Sequence, residues 1–382
     1  MSEQHFDAIV VGVGGMGSAA VYHLARRGKR VLGLERFDIP NDMGSSHGVT
    51  RIIRLAYFEH PSYVPLLKRA YALWRELQDV AAEQLLYITG SVDAGPPGSP
   101  VFEGARTSAE VHGLPHEVLP SAELTRRFPG YRLPAETMAV LQPEGGFLLP
   151  ERCIVAHVDA ALRFGAEVHA REQVLDWEPL EEGVMVRTSR ATYAAERLIV
   201  SAGAWAGKLV PRLARLAVPE RQVLAWLQPQ HPEWFAPDRF PVFVVTVEDG
   251  HYYGLPVFGV PGFKLGRYHH LEQRVDPDSI DRDCHPEDEA VLRKFAERYF
   301  PDGAGPTMAL KVCQFTNSPD EHFIIDFHPD SSRVVIAAGF SGHGYKFCSV
   351  VGEILADLAI DGSTRHDINL FRLDRFATAP AG

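Results

Sequence analysis

Residues 6–38 read "FDAIVVGVGGMGSAAVYHLARRGKRVLGLERFD". A short apolar run, three spaced glycines, a helix-like stretch, a second apolar run and an acid follow one another, and no other part of the chain constrains the fold as strongly. Ala8 to Val11 suits a strand covered on both faces. Gly12, Gly14 and Gly17 form G-x-G-x-x-G. The first permits a tight turn, the second lets a pyrophosphate approach the backbone, and the third lets helix and strand pack closely. Ala19, Ala20, Leu24 and Ala25 give the helix its apolar face, and Gly28 ends it. Val31 to Leu34 is the second strand. Glu35 then stands about 20 residues beyond the glycines, where a carboxylate holds a ribose hydroxyl. The unit predicts a dinucleotide site. With Arg36 beside Glu35, the motif excludes a phosphorylated ribose only weakly, and it does not separate NAD from FAD.

At 382 residues the chain predicts two domains. A net charge of −11 argues against nucleic acid as main partner, because phosphate contacts need a basic surface. No apolar stretch is long enough to span a bilayer, and "MSEQHFDAIVVG" lacks the basic start of a signal peptide. Cys153, Cys284, Cys313 and Cys348 are scattered, with no C-x-x-C pair, which fits a reducing compartment better than a disulfide framework. The expectation is a cytoplasmic protein free of membrane and nucleic acid. With no H-E-x-x-H or C-x-x-C arrangement, no metal is expected.

Helical spacing marks Pro61 to Val80, and shorter helices are expected at Ser108 to His112 and Ala122 to Arg127. Pro150 to Phe164 reads as a helix before a strand near Val168. "RLIVSAGAWAGKL" resembles a second strand, turn and helix, and Gln222 to Gly266 is strand-rich and aromatic. Pro286 followed by Glu287, Asp288 and Glu289 starts a helix well. "VVIAAGFSGHGYKFCSVVGEILADLA" returns to strand, glycine loop and helix. The fold class expected is α/β, a Rossmann-like cofactor domain with an interleaved, mainly antiparallel β substrate domain. Residues 1–85, 140–215 and 310–382 are assigned to the first domain, and 86–139 and 216–309 to the second.

Seven stretches carry a more specific message: "VVGVGGMGSAA", "GSSHGVTRIIRLAY", "YVPLLKRAYALW", "YYGLPVFG", "FKLGRYHH", "VCQFTNSPDEHFIID" and "AAGFSGHGYKF". In this order they resemble the monomeric sarcosine oxidase and N-methyltryptophan oxidase family of flavoenzymes, along nearly the whole chain. The resemblance implies FAD, joined through Cys313 by a thioether to the ring's C8 methyl. It also implies a monomer that uses oxygen to demethylate a small N-methyl amino acid, releasing formaldehyde and hydrogen peroxide. A buried, unreactive thiol is the commoner fate of a cysteine, and that reading is kept for Cys153, Cys284 and Cys348.

The same resemblance assigns the site. Arg54 and Lys346 hold the substrate carboxylate, a role that a guanidinium's planar fork suits. Arg51 faces the flavin, and Lys264 lies over it, where a cation stabilises charge passing to oxygen. Thr50 and Tyr253 join the catalytic set. His269 is chosen as the pocket histidine, although one extra residue in the segment leaves Tyr268 as the other candidate for that place. Adjacent His269 and His270 make a poor metal pair on a strand. Tyr57, Phe315 and Val244 line the substrate pocket. His47, Val174, Gly342, His343 and Gly344 join the three glycines, Glu35 and Arg36 as cofactor contacts. Phe315 stands where the family often has tyrosine, Val244 where sarcosine oxidase has methionine, and Val49 where an aspartate is familiar, so substrate identity stays open. Other outcomes consistent with the residues are a flavin oxidase or dehydrogenase of pipecolate or proline type, a non-catalytic flavin binder, and an NAD-linked dehydrogenase, which has no use for a tether at Cys313.

Overall fold

The computed structural model describes residues 5–376. His5–Val11, Val31–Leu34, Glu167–His169, Thr192–Val200 and Ser331–Ala338 form the parallel part of an eight-stranded sheet. Both faces of its first strand are buried. Ala8 and Val10 point into one apolar core, and Phe6, Ile9 and Val11 into another. This explains why the strand reads as a continuous apolar run rather than an alternation. Helices Gly15–Arg26, Val64–Ala81, Pro150–Arg163 and Cys348–Asp361 share the first of these cores. A Cβ at Gly352 would overlap Ala19, so the first and last of these helices cross at a glycine contact.

A second eight-stranded sheet runs Thr307–Asn317, Val218–Leu227, Phe263–Arg267, Gly250–Leu255, Val242–Val247, Ser91–Gly95, Met138–Gln142 and Glu117–Pro120. Its pairings are antiparallel except that between Val242–Val247 and Ser91–Gly95. Alternation sets its two faces apart. Val223, Ala225, Phe243, Val245, Phe263 and Leu265 pack in one core with Phe295 and Tyr299 of the helix Pro286–Tyr299. Leu224, Val244, Tyr253, Lys264 and Cys313 look the other way and line a cleft between the sheets.

The domain boundaries expected at 140 and 310 fall inside Met138–Gln142 and Thr307–Asn317. Both strands pair within the antiparallel sheet, so Cys313 sits on that sheet and not on the dinucleotide-binding one. A third, three-stranded sheet joins Arg51–Ile53, Gly146–Leu148 and Leu86–Ile88. Among the described residues, no helix is long and apolar enough to cross a membrane.

Candidate functional site

The cleft begins at the glycine turn. Gly12 has φ +85°, and a Cβ there would lie 2.6 Å from the Ser201 carbonyl oxygen. A Cβ at Gly17 would overlap the Gly12 carbonyl, so Gly17 serves helix packing and does not line the cleft. Gly14 is open, with nothing nearer than Ser46 Oγ at 4.0 Å. This bare backbone at a helix N-terminus is a cradle for an anion. The carboxylate of Glu35 is buried and accepts from Val13 N at 2.9 Å and Phe37 N at 3.0 Å. Desolvation pushes its pKa up and these backbone N–H groups oppose the rise. Each oxygen keeps a lone pair for a hydroxyl. Val174 lines the same stretch, and Arg36 Nη1 donates to Asp278 Oδ1 at 2.6 Å across its mouth.

At the far end the cleft runs between Cys313 and the glycine loop after Ser331–Ala338. Arg51 Nη2 donates to the Ser45 carbonyl at 2.9 Å and lies 3.6 Å from Cys313 Sγ. Lys264, 1 % exposed, donates to the carbonyls of Gly48 and Thr50, both at 2.7 Å, and has Thr50 Oγ1 at 3.2 Å. Burial, then the charge of Arg51, depresses its pKa well below the usual lysine value. Arg51 and Arg54 diverge because an extended chain carries them, one toward Cys313 and the other toward Asp93. Arg54 donates through Nε to Asp93 Oδ1 at 3.0 Å and through Nη2 to both Glu59 oxygens at 3.3 and 3.2 Å. Its Nη1 is buried and has no partner. Lys346 Nζ donates to the His343 carbonyl at 2.8 Å, and burial, then Arg54, lowers its pKa to about 7.

The cleft is lined by Gly12, Gly14, Glu35, Arg36, Thr50, Arg51, Arg54, Val174, Val244, Tyr253, Lys264, Cys313, Phe315, Gly342, His343, Gly344 and Lys346. Four expected residues lie elsewhere. Gly17 is inside the helix contact. His47 is buried beside a neighbouring pocket with Glu151 and Asn41, both ring nitrogens without partners. Desolvation, then Arg51, lowers its pKa to about 3.

Tyr57 is fully buried behind the wall and corrects the expectation of a substrate contact. Its ring backs Arg54 at 4.5 Å and Lys346 at 5.1 Å, and its hydroxyl lies 2.6 Å from His343 Nδ1. His343 Nε2 faces the Glu321 carbonyl at 2.9 Å, which can only accept. Nε2 therefore carries the proton and Nδ1 accepts from Tyr57, and burial keeps this imidazole neutral by lowering its pKa to about 4.

The choice of His269 is also corrected. The chain leaves its strand at Arg267 and turns, His269 adopting φ +52°. Its side chain swings outward to Glu220 at 3.0 Å and Glu321 at 2.9 Å, whereas Tyr268 lines the cleft between Tyr253 and Phe315. His270 is structural, bonding Asp288 at 3.0 Å. Sequence reasoning missed Glu59 and Asp93. An acid within the fully buried strand Ser91–Gly95 is the signal that points to Asp93. It also missed Glu151, whose Oε1 accepts from Gly48 N at 2.6 Å and Val49 N at 3.1 Å. That bond steadies Val49 at φ +71°, a strained conformation for a β-branched residue.

Comparison with known proteins agrees with this architecture. Residues 7–358 match the family described as FAD dependent oxidoreductase. The chain is 45 % identical to monomeric sarcosine oxidase of Bacillus sp. (strain NS-129), over 98 % of this chain and 97 % of that one. It is 35 % identical to N-methyl-L-tryptophan oxidase of Yersinia pestis (strain Pestoides F), over 97 % of this chain and 99 % of that one. L-Proline dehydrogenase from P. horikoshii has the same fold, with a TM-score of 0.84 over 98 % of each chain at 20 % identity. The chain belongs to the FAD dependent oxidoreductases, in the group that contains monomeric sarcosine oxidase and N-methyl-L-tryptophan oxidase.

Proposed function

We propose that this protein is a flavoprotein oxidase that demethylates a secondary N-methyl amino acid to the amino acid, formaldehyde and hydrogen peroxide. FAD fits the cleft's chemistry: bare glycine backbone for the pyrophosphate, Glu35 for the ribose, and Arg51, Lys264 and Cys313 around the far end. When bound, it accepts a hydride from the carbon beside the substrate nitrogen and passes the electrons to oxygen. Cys313 is the thiol proposed to hold it covalently.

The observation that carries the reading is the free donor set at the substrate end. Arg54 Nη1 has no partner, and Lys346 Nζ spends one donor on a carbonyl. Two N–H groups remain on each, matching the lone pairs of one carboxylate. Anchoring the carboxylate there turns the amine and its methyl group toward the rest of the cleft. Tyr268, Tyr253 and Phe315 form an aromatic wall that keeps water from the reacting carbon. The Arg54 guanidinium, joined below neutrality by protonated Lys346, disfavours a substrate ammonium, so the amine arrives with its lone pair available. Lys264, held by Thr50 and Gly48, offers its amino group where charge builds on oxygen.

Oxygen uptake and peroxide release are measured with sarcosine, N-methyltryptophan, pipecolate and proline. Turnover of an N-methyl substrate with one formaldehyde per peroxide is expected. Peroxide without formaldehyde, from the cyclic amines alone, overturns the demethylation reading.

A further inference from the structure

Asp93 has no part in the expected site, yet the register places it behind the substrate wall, on the sheet face that carries the wall's residues. It pairs directly with Val244, and Val244 pairs directly with Tyr253, so the three side chains stand in one row on the cleft face of the sheet. Asp93 is fully buried. One oxygen accepts from Arg54 Nε at 3.0 Å; the other is buried with no partner. A carboxylate kept in this state is costly unless it has work to do. Its place behind Arg54 suggests what that work is. Together, Asp93 and Glu59 take the Nε and Nη2 edges of the guanidinium of this cleft-lining arginine, so Nη1 alone is left without a partner.

We propose that Asp93 is a positioning and specificity-determining residue that orients Arg54 and whose negative charge limits how tightly the site grips a carboxylate. The inference rests on the carboxylate-binding role given to Arg54 and Lys346 above. Desolvation lifts the Asp93 pKa to about 7, against the pull of Arg54 and Lys346 and with Glu59 adding to the rise. Tyr131 and Tyr268, the other titratable groups facing it, have pKa values pushed upward and stay neutral. Above neutrality Asp93 is therefore an anion opposed to an incoming anion. Lys346 loses its charge over the same range, which weakens carboxylate binding in the same direction.

The test titrates purified holoenzyme with acetate, and with uncharged acetamide as control, following the flavin absorption spectrum from pH 5.5 to 9. Asp93→Asn keeps an acceptor for Arg54 and removes the charge; Asp93→Ser is the second variant should the first fail to fold. Wild-type affinity for acetate should fall as pH rises through neutrality. In either variant acetate should bind on the order of tenfold tighter at the alkaline end. The gain should vanish at the acid end, only the Lys346 component of the pH slope should remain, and acetamide should be unaffected. Equal affinity and slope in variant and wild type, weaker acetate binding at every pH, or an equal gain for acetamide overturns the proposal while leaving the carboxylate site standing. Acetate that perturbs neither wild type nor variant overturns the carboxylate site and the proposal with it.

Discussion

Lys264 shows how much chemistry a single buried amine can carry. Two carbonyls accept from it and a hydroxyl lies against it, so the site accommodates either the ammonium or the free amine. Desolvation, then the charge of Arg51, brings its ionisation well below the normal lysine range, so the charge on Lys264 is far more easily lost than that of an exposed lysine. Replacing Lys264 by Met should slow reaction of the reduced enzyme with oxygen on the order of a hundredfold, with much less effect on reduction by substrate. Stopped-flow measurement of the two half-reactions separates them, and equal slowing of both removes Lys264 from the oxygen step. The wild-type reoxidation rate should also fall as pH rises, a dependence absent from the Met variant. Arg54→Ala should weaken binding of carboxylate substrates, read as a raised KM with a smaller change in kcat, since it removes a buried guanidinium nitrogen that has no partner within the protein.

At the scale of elements, the outward turn at His269 ties the end of Phe263–Arg267 to Glu220 and to Glu321 of the loop after Cys313. Those two carboxylates raise the His269 pKa to about 10 from an ordinary 6.5. The folded state therefore keeps a proton that the unfolded chain releases above about 6.5. Stability from this pair is complete below that pH and drains away as pH climbs toward 10. His269→Gln should flatten the alkaline decline in Tm between these limits. The effect will be modest because the cluster is partly exposed, and an unchanged slope rejects a stabilising role for the His269 ion pairs.

The dinucleotide turn was legible in the sequence because each glycine answers a separate steric demand. The helix from Pro286 was legible because proline and acids mark its start. The turn at His269 was not, since an extra residue moves a side chain from one side to the other without altering composition. The helix expected at Ser108 to His112 begins at Pro100, its early turns disguised by Gly104 against the Phe58 backbone. At the site, the cationic residues were legible through the resemblance. Their acidic partners were harder to read: Asp93 comes from a strand distant in sequence, marked only as an acid in an apolar run, and Glu59 reaches back to Arg54 from the following loop, where an exposed acid looks the same.

On the scale of the whole molecule, the cleft is shared property. The glycine turn and Glu35 come from the parallel sheet, Cys313 and Lys264 from the antiparallel one. A cofactor tethered at Cys313, as proposed above, would contact both sheets and, by binding only the folded state, would stabilise it. Cys313→Ser should yield a protein whose acid precipitate is white and whose supernatant is yellow. Its Tm should lie below that of the wild type and rise with added FAD. A coloured precipitate from the variant rejects Cys313 as the point of attachment. Position 310 falls within a strand of the antiparallel sheet, and this matters to anyone who recombines such proteins. A chimera that borrows only the antiparallel half from a relative takes the strand equivalent to Thr307–Asn317, and with it whatever stands at position 313, along with the pocket walls. A crossover inside Thr307–Asn317 would split a strand that pairs along its whole length with Val218–Leu227, so the workable crossover points lie beyond Asn317, where the strand has ended.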